Sequence, residues 1–290
     1  MNKRNIVKTI SCVILNKNLR RKFRDYIYES IIKYPYRNIK PRFEKNNSPE
    51  VSIIMPVYNQ YKITFECLKS MTYYKPKVSF EVIIADDCSK DRTAEIEKII
   101  PNIKLIRTTG NFGFLKNVKN AVSQAKGKYI FLMNNDMLVK ENWLDSLYQY
   151  LESHSDVGIV GSLLLYNDDT IQEYGATMNK DGTSHLEVPD KNEALKPKET
   201  DYCSGCSIMF LKSDWDTLGG FDEQFAPAYY EDSDFGFQMR YILNKKSVCL
   251  PDSQIYHLKG KTYSESAIEL GGKNRKLFLE KWKNTENAGL

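Results

Sequence analysis

No stretch of this chain is long and apolar enough to cross a membrane as a helix. The longest wholly apolar runs, such as Val13-Ile14-Leu15 and Val82-Ile83-Ile84-Ala85, span only a few residues, against the roughly 20 that a bilayer requires. The N-terminus carries charges but no clean apolar stretch followed by a small-residue cleavage site. No signal peptide is therefore expected, and the cytoplasm is the expected compartment. Cysteine is sparse, with six residues at 12, 67, 88, 203, 206 and 249 in a chain of 290. Such a density argues for free thiols and against a disulfide framework. Cys203-Ser204-Gly205-Cys206 has redox or half-zinc spacing, yet the sequence offers no second such pair and no nearby pair of histidines. Two small buried residues are expected there instead. Internal repeats, low-complexity tracts and a G-x-G-x-x-G motif are all lacking, and the last absence counts against a dinucleotide oxidoreductase.

What the chain does have is a core and an uneven charge. Hydrophobic residues make up 41% of it, enough to bury a sizeable interior in one α/β domain with an extension. The net charge is +5, but residues 1–46 carry thirteen Lys and Arg against three Asp and Glu, a local +10 that leaves the remainder at −5. Within that arm, Leu19, Phe23, Tyr26, Ile27 and Ile31 make one apolar helical stripe beside Lys17, Arg20, Arg21, Lys22 and Arg24, and Pro35 should end the helix. A basic amphipathic helix of this kind fits peripheral contact with an anionic membrane surface, and equally packing on the main domain with a solvated basic face. Lys40–Glu50 reads as a linker. The predicted organisation is a basic helical arm over 1–46 and a main domain over 47–290, divided near residue 137.

From Val51 the pattern alternates strand and helix. Strands are predicted at 51–55, 80–85, 103–107 and 129–133, with helices at 61–73, 93–100 and 114–125 between them. Continuous Val/Ile-rich strands separated by helices predict a mostly parallel sheet covered on both faces. Farther on, 143–152, 235–243 and 273–282 read as helices, 157–165 and 207–211 as strands, and 181–199 as a polar loop. In such sheets ligands bind at the carboxyl ends of strands. Three polar clusters lie at those ends, namely Pro56-Val57-Tyr58-Asn59, Asp86-Asp87-Cys88-Ser89 and Asn134-Asn135-Asp136. One such Asp could be a helix cap; three clusters on one rim could hold a ligand with several hydrogen-bonding parts.

The segments SIIMPVYNQ (52–60), EVIIADDCSKD (81–91), NFGFLKN (111–117), LMNNDM (132–137), GGFDEQF (219–225) and YEDSD (230–234) resemble, in order and spacing, the family 2 glycosyltransferases. The resemblance runs from about Val51 to Lys283 and implies the GT-A fold. It further implies a nucleoside-diphosphate sugar as donor and a saccharide or lipid-linked saccharide as acceptor. Transfer would be inverting, in assembly of a bacterial surface polysaccharide such as capsule or O-antigen. It assigns Asp87 to the base of the nucleotide and Pro56, Tyr58, Asn59, Asn111, Gly113 and Asn135 to the nucleotide-sugar site. Asp136 and His257 would serve a divalent metal, Mn²⁺ or Mg²⁺, and hard oxygen donors suit either ion. Within Tyr230-Glu231-Asp232-Ser233-Asp234, Asp232 would be the general base, and Glu231 and Asp234 would orient the acceptor. Gly260 completes a stretch resembling H-x-x-G after His257.

Two departures from the family pattern stand out. Asn134 replaces the first acid of the usual D-x-D, and Lys119 and Ala121 replace the Asn and Gly that often follow Gly113. They keep two other readings in view: a nucleotidyltransferase of similar fold, and a nucleotide-sugar-binding module without turnover. Nucleic acid is not an expected partner, since the body is net acidic and offers no recognised motif.

Overall fold

The computed structural model describes residues 35–36, 38–189, 195–258 and 265–285. The helix predicted between Leu19 and Ile31, and Gly260, lie outside them. Four parallel strands build the first half: β1 (Val51–Val57), β2 (Phe80–Asp86), β3 (Ile103–Arg107) and β4 (Tyr129–Met133). Along β1, Val51, Ile53, Met55 and Val57 enter one core layer with Cys67, Leu68 and Met71 of α1 (Tyr61–Tyr73). Ile54 turns to the other layer. The single helix predicted over 93–100 is instead a 3₁₀ turn, Arg92–Glu95, followed by the one-turn α2 (Ile96–Ile99). Its start is fixed by Asp91, whose side chain accepts from Thr93 N at 3.0 Å. Its end is fixed by Pro101, which keeps Ile100 extended. Helix α3 (Phe114–Val122) places Leu115, Val118, Ala121 and Val122 against Ile54 in the second layer. The sheet is thus covered on both faces, as its period-two apolar strands require.

The second half widens this sheet. After β5 (Met137–Val139) and α4 (Asp145–Ser153) come β6 (Val157–Leu165) and the short β7 (Ile171–Glu173). The stretch predicted as polar loop holds two further pieces of strand. A hairpin pairs β8 (Ala176–Met178) with β9 (Ser184–Leu186), and β10 (Lys198–Thr200) joins the main sheet. Then follow β11 (Ser207–Leu211), α5 (Lys212–Leu218), α6 (Glu231–Tyr241), β12 (Lys246–His257) and α7 (Glu265–Trp282). The strand order is β10-β12-β6-β11-β4-β1-β2-β3, with β5 on β12 and β7 on β6. Strand β11 runs antiparallel to both β4 and β6, and β10, β5 and β7 also pair antiparallel, so the sheet is mixed, with parallel blocks on either side of β11.

The described part of the arm, with the predicted linker 40–50, is docked on the body. Tyr36 is buried against the rings of Tyr73 and Tyr74, and Phe43 packs edge-on against Phe80. Asn102 Nδ2 donates to Phe43 O at 2.8 Å. Among the described residues no helix is long and apolar enough to cross a membrane.

Candidate active site

Register brings the three predicted strand ends to one rim. Val57 pairs with Asp86 across β1 and β2, and β1 pairs with β4 on its other side. Pro56 is buried at the end of β1, while Tyr58 is exposed on the rim. Asn59 sits at φ 59° and is held from the neighbouring strand end. Its N–H donates to Ser89 Oγ at 2.7 Å, and its Oδ1 accepts from Lys90 N at 2.8 Å. Asp86 is fully buried, paired with the Arg107 guanidinium and accepting from Ser89 N at 2.9 Å. It structures the turn. Asp87 shapes the next loop. Its Oδ1 accepts from Phe112 N at 2.8 Å and Thr108 Oγ1 at 3.1 Å, and its Oδ2 accepts from Gly113 N at 2.8 Å. Asn111 is exposed on that loop. Gly113 has φ +84°, and a Cβ there would lie 2.4 Å from Pro227 Cβ, so only glycine lets the two loops meet.

Asn135 and Asp136 follow β4. Asn135 Nδ2 donates to Thr64 Oγ1 of α1 at 2.9 Å, a contact that fixes its orientation. Asp136 reaches His257 because β5, which begins one residue later, pairs antiparallel with the end of β12, Met137 opposite His257. Leu258 N donates to Asp136 O at 2.9 Å and ties the two chains again. The result sets His257 Nε2 3.6 Å from Asp136 Oδ1, an oxygen that is itself buried and accepts no hydrogen bond among the described residues. On its far side His257 Nδ1 lies 2.7 Å from Gln172 Oε1. A carboxylate oxygen without a donor, beside an imidazole nitrogen, is a donor set that fits a divalent cation. Among the described residues no group of three or more His, Cys, Asp or Glu could hold a metal ion. A cation here would need ligand oxygens or water to complete its shell.

The acid cluster opens α6, four residues before the predicted start. Asp232 is partly buried; its Oδ2 accepts from Gly205 N at 3.0 Å and its Oδ1 from Ser233 N at 2.7 Å. Burial raises its carboxyl above the ordinary aspartate range, partly opposed by those N–H groups. Glu231 is 7% exposed, and its Oε2 has no partner among the described residues. Burial, and then the charge of Asp232, push it well above the ordinary glutamate range. Asp234 is wholly buried and turned to α7. Trp282 Nε1 donates to it at 2.8 Å, Lys281 Nζ at 2.9 Å and Gln238 Nε2 at 2.6 Å. These contacts anchor the terminal helix.

Two bridges join the loops at the strand ends to the acid cluster. Gly205 N holds Asp232, and the carbonyl of the next residue, Cys206, accepts from Asn134 N at 2.9 Å. Consecutive residues thus grip Asp232 and the 134–136 loop. The second bridge runs from Asp87 through Gly113 to Pro227, whose carbonyl accepts from Leu115 N at 3.0 Å, and on to Glu231. Cys203 and Cys206 are buried free thiols, as expected for this pair. The value of their motif lies in the peptide between them, because a Cβ on Gly205 would stand 3.2 Å from Asp232 Cβ. Gly205 and Gln172 went unnoticed in the sequence. A glycine just before an apolar strand was the one signal for the first; the second had none.

Comparison with known proteins agrees with this geometry. The sequence profile described as glycosyl transferase family 2 matches residues 52–218. The EpsE protein of Bacillus subtilis (strain 168) is 28% identical over 251 residues, covering 81% of this chain and 85% of that protein. Chondroitin synthase of Escherichia coli is 28% identical over 219 residues, 65% of this chain but only 32% of the synthase. Among solved structures, Staphylococcus aureus TarS 1–349 in complex with UDP-GlcNAc superposes with a TM-score of 0.60 at 21% identity, over 83% of this chain and 68% of that one. GalNAc-T7 with UDP, GalNAc and Mn²⁺ gives a TM-score of 0.68 at 14% identity, over 84% of this chain and 50% of that one. The architecture is the GT-A fold these enzymes share. With its ordered motifs, its sheet and more than half its length matched, the chain is a glycosyltransferase and belongs to glycosyltransferase family 2.

Proposed function

We propose that the chain transfers one sugar from a nucleoside-diphosphate sugar to a hydroxyl acceptor, with inversion at the anomeric carbon. The acceptor is a saccharide or lipid-linked saccharide on the way to a bacterial surface polysaccharide. The observation that carries this reading is the double grip of Gly205 and Cys206, which ties Asp232 and the 134–136 loop to consecutive residues. Pro56, Tyr58, Asn59, Asn111, Gly113 and Asn135 border the nucleoside and the donor sugar. Asp87 Oδ2, which accepts one hydrogen bond among the described residues, takes an N–H of the base. Asp136 and His257 hold a divalent cation, Mn²⁺ or Mg²⁺, which when bound neutralises charge on the leaving diphosphate. Asp232 accepts the proton of the acceptor hydroxyl as its oxygen bonds to the anomeric carbon and the diphosphate departs from the opposite face. A carboxyl raised by burial is a stronger base for that step. Glu231 accepts a hydrogen bond from an acceptor hydroxyl. The partners of Asp234 support a structural role in place of the acceptor contact that the motif implied.

The test is donor hydrolysis across a panel of nucleotide sugars, with Mn²⁺ or with chelator, for the wild type, Asp136→Ala and Asp232→Asn. Nucleoside diphosphate should be released from one donor only with metal, and the release should be lost in Asp136→Ala. Adding acceptor should speed turnover in the wild type, and Asp232→Asn should reduce transfer by about 10²–10⁴-fold. Well-folded protein that binds no nucleoside diphosphate in calorimetry would sink the reading.

A further inference from the structure

Gln172 is buried, 4% exposed, in a three-residue strand that ends nowhere near the acid cluster in sequence. A buried amide is costly unless both its ends are satisfied. Here the Oε1 end faces His257 Nδ1 at 2.7 Å, while the Nε2 end has no partner among the described residues. An apolar side chain would fill the same space without that cost, so packing alone does not account for glutamine at this position. The backbone points the same way. Between β7 and β6, Glu173 pairs with Leu164 and Ile171 with Leu165, so the register shifts and Gln172 is the residue left over. A bulge of this kind re-aims a side chain, and bulges cluster beside functional sites. The neighbouring strand completes the picture, since Leu165 of β6 pairs with Tyr256 of β12, the residue before His257.

We infer that Gln172 is a positioning residue. Its amide oxygen holds the neutral His257 ring as the Nδ1–H tautomer and thereby presents the Nε2 lone pair to the cation shared with Asp136. An amide oxygen can only accept, so the ring nitrogen facing it carries the proton and the other nitrogen is the ligand atom. The inference rests on the proposed cation site, but the tautomer is a property of the metal-free chain and can be read by itself. Gln172 touches neither substrate nor cation.

The chain has three histidines, His154, His185 and His257, so ¹⁵N-histidine labelling gives three rings to assign. The experiment records ring ¹⁵N shifts of the metal-free protein at alkaline pH for wild type, Gln172→Met and Gln172→Glu. It then measures Mn²⁺ binding by electron paramagnetic resonance in the presence of UDP, and records thermal melts. The wild type should show His257 as Nδ1–H. Gln172→Met should lose that preference and bind Mn²⁺ roughly 10–100-fold more weakly, with a melting temperature unchanged or raised, because an unpartnered donor has been removed. Gln172→Glu restores an acceptor and should keep both the tautomer and the affinity within a few fold. A wild-type ring protonated on Nε2 overturns the inference, as does unaltered Mn²⁺ affinity in Gln172→Met. A loss of affinity in Gln172→Met matched by a comparable loss of fold stability, and not rescued by Gln172→Glu, also overturns it. Failure of the underlying cation site looks different, with no Mn²⁺ bound by wild-type protein whose His257 is still Nδ1–H.

Discussion

At the scale of single residues, the two neighbouring acids at the start of α6 differ in what their burial does. Asp232 receives N–H donors from Gly205 and Ser233, so its carboxylate is tolerated in a partly buried place and still raised. A base works only when deprotonated. The acidic limb of kcat/KM should therefore lie above the ordinary aspartate value of about 3.9. The rate should fall as pH drops through that limb, and a pH–rate profile of the wild type checks it. Asp232→Asn should leave a flat, low residue of activity. Glu231 has the opposite balance, a buried oxygen with no donor beside a like charge. Its folded pKa is raised above its unfolded one, so ionisation costs stability. The cost is absent below the unfolded value of about 4.3 and grows as pH rises toward the folded value. Glu231→Gln should consequently melt higher at neutral pH, by roughly 2–4 °C for each kcal/mol regained, and the gain should vanish in acid. Its acceptor KM should rise, the exchange of stability for function common at binding sites.

At the scale of elements, α7 behaves as a clasp on the acid cluster. Asn274 is wholly buried and its Nδ2 faces the carbonyls of Phe225, Ala228 and Tyr229 at 2.9 Å each, just ahead of Glu231. Trp282 and Lys281 hold Asp234 from behind. Trp282→Phe removes the indole N–H from a buried carboxylate and should cost about 1–3 kcal/mol in urea denaturation. The base loop sits between these two grips, so kcat should fall while donor binding by calorimetry holds. Elements of this kind differ in how plainly sequence announces them. Val157–Leu165 and Tyr61–Tyr73 were legible because their apolar patterns are long and end at polar or turn residues. Of strand β12 only Ile255-Tyr256-His257 reads as strand from sequence, because Pro251, Asp252, Ser253 and Gln254 interrupt its apolar run. The register shifts between Leu250 and Gln254 to pass them. The three residues of β5 carry no period, yet they bring Asp136 to His257. The rim residues after β1, β2 and β4 could be read from sequence, since each follows its own strand. The Asn134–Cys206 contact joins distant segments through backbone atoms alone, and the Asp232 carboxylate finds its partner in the backbone N–H of Gly205, which no residue type advertises.

At the scale of the whole molecule, the basic patch and the rim of candidate site residues lie at opposite ends of β2. Asp86 and Asp87 sit at its carboxyl end, while Lys75 and Lys77 precede its amino end beside Lys40, Arg42 and Lys45, all five exposed. Lys40, Arg42 and Lys45 belong to residues 1–46, which carry a local +10 in all. Contact with an anionic membrane should then be salt-dependent, with about 1 kcal/mol for each basic side chain near the surface. In a vesicle sedimentation assay, binding should fall when Lys17, Arg20, Arg21, Lys22 and Arg24 are neutralised together. Unchanged binding would remove the arm from the membrane account.

The grip of Gly205 and Cys206 has a consequence for how such an enzyme can change its substrate. Neighbouring Cα atoms stand 3.8 Å apart whatever their side chains. The span from Asp232 to the 134–136 loop is therefore gauged by covalent geometry and two hydrogen bonds, one from Gly205 N to the Asp232 carboxylate and one from Asn134 N to Cys206 O, and side-chain drift elsewhere leaves that gauge unaltered. New donors and acceptors must be accommodated by recarving the walls around a ruler of constant length. Descendants of one ancestral chain could then diverge widely in the sugars they join while the reacting atoms meet at the same separation.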